Sequence, residues 1–176
     1  MLKLKSISND KKIVSIEFDD YIPFDINIGK PNFKKLYFRY GDGKKSLLEI
    51  GVNVEEGIMT SCTLAMIKRE NVKIFNSSFN TSDCALTEGT VIFDITKSNS
   101  NEYVNSSFID TFDSDLYLDL GKNYISLRFS INHCKVESYV INDRLVVGFD
   151  SSKELCIIAM TQLSLSEIEK IKVSLS

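Results

Sequence analysis

FKKLYFRYGDGKKSLLEIGVNVEEGIMTSCTLAMI, residues 33–67, decides the fold class. Leu36, Phe38 and Tyr40 alternate with Tyr37 and Arg39. Gly41-Asp42-Gly43 breaks the run as a hairpin turn. Leu48, Ile50, Val52 and Val54 then alternate with Glu49, Gly51 and Asn53, Glu55-Glu56-Gly57 turns the chain again, and Ile58, Thr60, Cys62, Leu64 and Met66 return. Period-two alternation around glycine turns predicts antiparallel strands with one buried face.

The same pattern recurs on either side. Val14, Ile16 and Phe18 alternate with Ser15, Glu17 and Asp19, and Val91, Phe93 and Ile95 form a short apolar run. Leu116, Leu118 and Leu120 alternate with Asp115, Tyr117 and Asp119. Beyond Gly121-Lys122-Asn123 come Ile125, Leu127, Phe129 and Ile131. Val136 and Val140, an Asn142-Asp143 turn, Leu145, Val147 and Phe149, a Ser151-Ser152-Lys153 turn and Leu155 to Met160 follow. Both prolines, Pro23 and Pro31, flank strands, where a missing N–H costs little. Ser164-Leu165-Ser166-Glu167 is a capping box, with Leu165, Ile168, Ile171 and Leu175 placed on one helical face. Strands at short, even spacing with one terminal helix predict a mainly β, antiparallel β-sandwich or strongly curved sheet with a C-terminal α-helix, a single domain over residues 1–176. The serine- and asparagine-rich stretch 76–106 reads as exposed polar loops around one strand.

Composition excludes several chemistries. With one histidine, His133, among 176 residues, a multi-histidine metal site cannot form and a histidine base has one candidate. Cys62, Cys84, Cys134 and Cys156 lie far apart without a C-x-x-C pair, which predicts reduced, apolar cysteines. No phosphate-binding glycine loop or nucleophile elbow is present; Ser61, Cys62 and Thr63 sit inside a strand. The opening MLKLKSISNDKK has no apolar core, and no apolar run is long enough to span a bilayer, so a cytoplasmic protein without membrane contact is expected. No cofactor and no metal are expected.

Charge is unevenly distributed along the chain. Residues 1–73 carry 13 basic and 10 acidic groups and residues 121–176 carry 7 and 6, whereas residues 74–120 carry Lys97 against eight acids. Asp110, Asp113, Asp115 and Asp119 are the densest group, and Asp115, Tyr117 and Asp119 share one side of a strand opposite the leucines. A solvated strand face, a calcium site at Asp113 and Asp115, a carboxylate-pair glycosidase and a patch for a basic partner are the competing readings. Dispersed lysine pairs and a pI near 5.3 disfavour direct nucleic-acid binding.

YISLRF (124–129), VESYVINDRLVVGFDSSKELCIIAMTQLSLSEIEKI (136–171) and the strand–Glu-Glu-Gly–strand form of residues 33–67 resemble the small bacterial immunity proteins of contact-dependent inhibition and polymorphic toxin systems. The resemblance implies a non-enzymatic protein, monomeric when free, that binds and neutralises one cognate toxin domain, often a basic nuclease. An acidic surface would then fill the groove meant for phosphates. Asp110, Asp113, Asp115, Tyr117 and Asp119, supported by Glu102 and Tyr103, are the expected partner-binding residues. A β-sandwich adaptor or small-ligand-binding module is the alternative, and a pocket above about 300 Å³ with convergent polar groups would favour it.

Overall fold

The computed structural model describes residues 1–30, 34–81, 84–96, 108–112, 114–130 and 134–175. Along the chain lie β1 (Leu4–Ser8), β2 (Val14–Glu17), β3 (Phe24–Ile28), β4 (Lys35–Gly41), β5 (Leu47–Asn53), β6 (Met59–Met66), β7 (Val72–Ile74), β8 (Ala85–Glu88) and β9 (Thr90–Phe93). They are followed by β10 (Phe108–Thr111), β11 (Asp115–Leu120), β12 (Ile125–Ser130), β13 (Ser138–Asn142), β14 (Leu145–Phe149), β15 (Leu155–Met160) and the helix α1 (Leu165–Ser174). They form a six-stranded sheet, β10-β4-β5-β6-β3-β2, a seven-stranded sheet, β7-β11-β12-β15-β14-β13-β8, and a β1–β9 ribbon. The β-sandwich with a C-terminal helix agrees with the sequence pattern. Three edge pairings depart from the antiparallel expectation: β10 on β4, β7 on β11 and β8 on β13 are parallel. Each joins segments distant in the chain, as parallel pairing requires.

The alternating apolar residues do the packing. Leu36, Phe38 and Tyr40 of β4, Leu48, Ile50 and Val52 of β5, and Cys62 and Leu64 of β6 share one core with Leu116, Leu118, Leu120, Leu127, Phe129, Val147, Phe149 and Ile158 of the facing sheet. Tyr40 meets Phe129 edge-to-face at 5.2 Å, and its hydroxyl accepts from the Leu2 N–H at 3.3 Å; burial pushes this phenol's pKa up. The ribbon closes one side of the sandwich, with Phe93 against Phe149. A bulge opposes Val52 to Met59, so Met59 rather than Ile58 enters the core.

A second apolar cluster lies on the outer face of the seven-stranded sheet. Tyr139, Val146, Cys156, Ile157 and Ala159 are buried there under Phe79, Cys84, Cys134 and Val136. The 76–106 stretch is therefore not simply an exposed loop: Phe79 roofs this cluster, and residues 85–93 supply two strands. Cys134 and Cys156 form a disulfide across a Cα–Cα distance of 6.0 Å, which corrects the expectation of four reduced thiols. The folded chain brings these two residues together although their separation of 22 residues carries no motif.

The helix follows its sequence signals with one exception. The Glu167 N–H donates to Ser164 Oγ and the Ser164 N–H donates to Glu167 Oε2, completing the capping box. Glu167 also accepts from Arg144 at 2.8 Å, tying the helix start to the β13–β14 turn. Ile168 and Ile171 are buried, but Leu165 is 79% exposed. At 3.6 residues per turn Leu165 lies about 120° round the helix from Ile171, so both cannot face the core; Leu163, just before the cap, is buried instead.

The cross-link and the buried thiol give a direct test. Unfolding without reductant should expose two alkylatable thiols, Cys62 and Cys84, and reduction should raise the number to four. Cys156→Ser should lower unfolding stability by about 3 kcal/mol, the value for closing a loop of this length, as measured by urea denaturation.

Candidate functional site

Of the seven residues expected to bind a partner, the four described ones do not form one bare acidic surface. Glu102, Tyr103 and Asp113 lie outside the described residues. Asp110 stands on β10, at the edge of the six-stranded sheet, whereas Asp115, Tyr117 and Asp119 stand on β11 of the other sheet. Each described carboxylate meets a cation of its own chain. Asp110 takes Arg39 in a bidentate pair, Nε to Oδ1 at 2.6 Å and Nη2 to Oδ2 at 2.8 Å. Asp115 meets Lys68 at 3.3 Å. Asp119, only 9% exposed, accepts from Arg128 Nε at 2.7 Å and Nη2 at 3.1 Å. Asp115, Tyr117 and Asp119 do share the outer side of β11, opposite Leu116, Leu118 and Leu120, but Asp119 is spent on holding β11 to β12.

Lys68 also reaches Asp42 at 3.2 Å, pinning the β4–β5 turn near the start of β11. Asp42 Oδ1 accepts the N–H groups of Lys44, Lys45 and Ser46. These donors, with Lys68 as a smaller contribution, hold its carboxyl far below the usual range. The turn glycines make room: Gly41 has φ 114°, and a Cβ there would fall 2.3 Å from the Ser46 carbonyl oxygen.

An acidic arrangement does exist, assembled by register rather than by sequence proximity. Asp110 on β10 opposes Arg39 on β4, Arg39 opposes Glu49 on β5, and Glu49 opposes Thr63 on β6. Thr63 in turn opposes Asp25 on β3, and Asp25 opposes Glu17 on β2. Directly paired residues point to the same side, and the alternate residues of these strands fill the core, so this row lies on the outer face. It crosses all six strands, about 24 Å at the usual strand spacing, with four carboxylates and one guanidinium. Asp25 accepts from Thr63 Oγ1 at 2.5 Å and from Asn27 Nδ2 at 3.0 Å, fixing one carboxylate in the middle of the face.

The adjacent row is aromatic at the edge and small across the middle: Phe108, Tyr37, Gly51, Ser61, Asn27 and Ser15. A Cβ at Gly51 would stand 2.2 Å from Ser61 Oγ, so a larger residue there would have to turn that hydroxyl aside. Phe108 stacks on Tyr37 with centroids 5.6 Å apart. Arg39 Cζ lies 4.4 Å from the Phe108 centroid and 5.5 Å from that of Phe112. Phe108 and Phe112 remain 43% and 41% exposed, so two large rings and a positioned guanidinium border an acid-lined face. Of the described residues expected from sequence, only Asp110 belongs to it. Glu17, Asp25 and Glu49 were missed; the signal available was the alternation of each strand, which marks them as outward-facing, without the pairing order that aligns them.

Cys134, Asp150 and Cys156 bring one metal-ligating atom each within 4.8 Å of one another. Both sulfurs are spent on the disulfide, and Asp150 Oδ1 accepts the N–H groups of Ser152 and Glu154. These atoms serve a cross-link and a turn. No protein-family model and no curated protein matches the chain.

Two measurements separate structural from surface carboxylates. Asp119→Ala leaves Arg128 without its bidentate partner and should cost about 2 kcal/mol in urea unfolding, whereas Asp115→Ala, at an exposed pair, should stay within about 0.5 kcal/mol. For Asp42 the sign follows from its lowered pKa. Its stabilisation is complete above the ordinary value of 3.8 and fades as pH falls from there toward the folded-state value. Asp42→Asn should therefore be less stable than the parent at pH 7, with the difference shrinking below about pH 4; a difference that stays constant in that range would refute the assignment.

Proposed function

We propose that the chain is a non-enzymatic, immunity-type protein that neutralises a cognate toxin domain by docking the outer face of its six-stranded sheet on it. The observation that carries this reading is the acid row Glu17–Asp25–Glu49–Asp110 with Phe108, Phe112 and Tyr37 at its edge. Carboxylates spread across an outer sheet face suit a basic partner, because long-range charge steers encounter. Exposed aromatic rings and a pre-oriented arginine suit the centre of an interface, where such residues dominate binding energy. Arg39 arrives already ordered by Asp110 and by two rings, so little side-chain entropy is lost on docking.

A partner of this kind is a basic nuclease domain, whose phosphate-binding groove the acid row would occupy in place of nucleic acid. The two sets of residues then act differently. The row sets how fast the complex forms and how strongly salt slows it, and the aromatic edge sets how long it lasts. A cytoplasmic location and a monomeric free state belong to this reading.

The test takes as candidate partner a basic toxin domain found encoded beside this chain in its source genome, with protection of growing cells and stopped-flow binding as readouts. Glu17→Lys combined with Glu49→Gln should slow association by about tenfold at low ionic strength, with the gap narrowing as salt is added. Phe108→Ala should instead accelerate dissociation, weakening binding by about 2 kcal/mol. Full protection and unchanged rates in all these variants would remove this face from the interface.

A further inference from the structure

A cleft of about 550 Å³, sharing no lining residue with the acid row, lies where Lys11, Lys12 and Ile13 pass beside the end of β3 and the β5–β6 hairpin. Lys11, Lys12 and Lys30 line it together with Ile13, Ile28 and Ile58 and one acidic residue, Glu56. The volume falls in the range of small-molecule sites, and the lining carries an excess of positive charge.

The basic loop is held in place by buried polar groups. Thr90 Oγ1 donates to the Asp10 carbonyl at 2.9 Å and accepts the Lys12 N–H at 3.1 Å. Asn142 Nδ2 donates to the Lys12 carbonyl at 3.1 Å. Thr90 and Asn142 are both buried, and they come from the ribbon and the seven-stranded sheet, so two other layers fix the backbone of residues 10–12. Gly29, at φ 73°, donates its N–H to the Ile13 carbonyl, and a Cβ there would meet the Lys12 stem at 3.6 Å. Lysines on a clamped loop are ordered before any ligand arrives, which removes part of the cost of binding.

The existing partners of these lysines are replaceable. Lys11 pairs with Glu88 and the half-buried Lys12 with Asp10, whose carboxylates are largely exposed, and such solvent-accessible pairs contribute little. Among the described residues Lys30 has no ion pair. Ile13, 84% exposed, presents an uncovered apolar surface beside these charges.

We propose that this cleft binds a small organic anion, its acidic head held by Lys11, Lys12 and Lys30 and its apolar body laid on Ile13, Ile28 and Ile58. Glu56 on the same lining repels a chain of charges, so the ligand has one charged end, unlike a nucleic acid. The site is separate from the toxin-binding face, and its failure would leave that reading untouched.

The full-length protein is titrated by calorimetry and by amide chemical shifts with octanoate, phenyl phosphate, inorganic phosphate and octanol. Saturable binding of octanoate or phenyl phosphate is expected, with shifts at Ile13, Gly29 and Ile58, and the tighter of the two identifies the head group as carboxylate or phosphate. Octanol and inorganic phosphate should bind about tenfold more weakly than the tighter organic anion, since each lacks one half of the recognition. Lys11→Gln with Lys30→Gln, and separately Ile13→Ala, should each weaken the organic anion by about tenfold. These exposed positions leave the fold intact, which an unchanged melting temperature checks. Absence of saturable shifts up to about 10 mM organic anion, equal binding of inorganic phosphate, or affinity retained in the lysine variant would overturn the proposal.

Discussion

Burial of alternate residues on β4, β5 and β6 against the seven-stranded sheet sets the register of the whole six-stranded sheet. Phe38, Ile50 and Cys62 form one inward row. A slip of one residue in β5 would send Glu49 and Gly51 into the core and Ile50 into water, an exchange no sheet with one buried face tolerates. The outward row is a consequence of the same constraint. Once Ile50 and Cys62 face in, Glu49 and Thr63 must face out and opposite each other, and the pairings of β3, β2 and β10 extend the line to Asp25, Glu17 and Asp110. The acidic face is thus as well specified as the core that enforces it.

Charge density along a sequence and charge density on a surface are different quantities here. The acid-rich middle of the chain places Asp110 and Asp115 on different sheets, because the short connection after β10 carries the chain from one layer to the other. Each of those carboxylates then finds a cation, Arg39 or Lys68, from the first half of the chain. The pairs differ in kind. Asp119–Arg128 is shielded and joins neighbouring strands, so it acts on stability. Arg39–Asp110 sits between exposed phenylalanines, so it acts on the shape and rigidity of a surface.

What the sequence disclosed was local. The strand alternation of β4 to β6, the glycine turn at Gly41–Gly43 and the Ser164 capping box all depend on residues within a few positions of one another, and all appear in the structure. The turns after β5 and β14 also have a local cause: Asn53 and Asp150 each turn the chain by accepting N–H groups two and three or four residues on. What stayed hidden was long-range. β3, with Phe24, Ile26 and Ile28 inward, is a short strand whose outward Asp25 gains meaning only beside Thr63. The disulfide has no spacing motif, and the parallel edges β7, β8 and β10 are too short to declare a partner. The acid row depends on five separate pairings, and a single sequence specifies none of them except the β4–β5 and β5–β6 hairpins.

The Thr90–Asn142 clamp shows the same economy of position applied to a loop. Buried hydroxyl and amide groups are costly unless satisfied, by about 1–3 kcal/mol for each orphaned group. A β-sandwich meets that demand most simply within its own ladders. Thr90 and Asn142 instead direct hydrogen bonds to the backbone of Asp10 and Lys12, a segment outside every strand. Removing that segment would leave Thr90 and Asn142 only their long mutual contact of 3.4 Å, so the fold holds the loop at a cost of unsatisfied polar groups if it leaves. Its backbone is fixed while its ammonium groups stay in water, and that combination, rigid support beneath accessible charge, distinguishes the Lys11–Lys12 loop from lysines that merely solubilise a strand end.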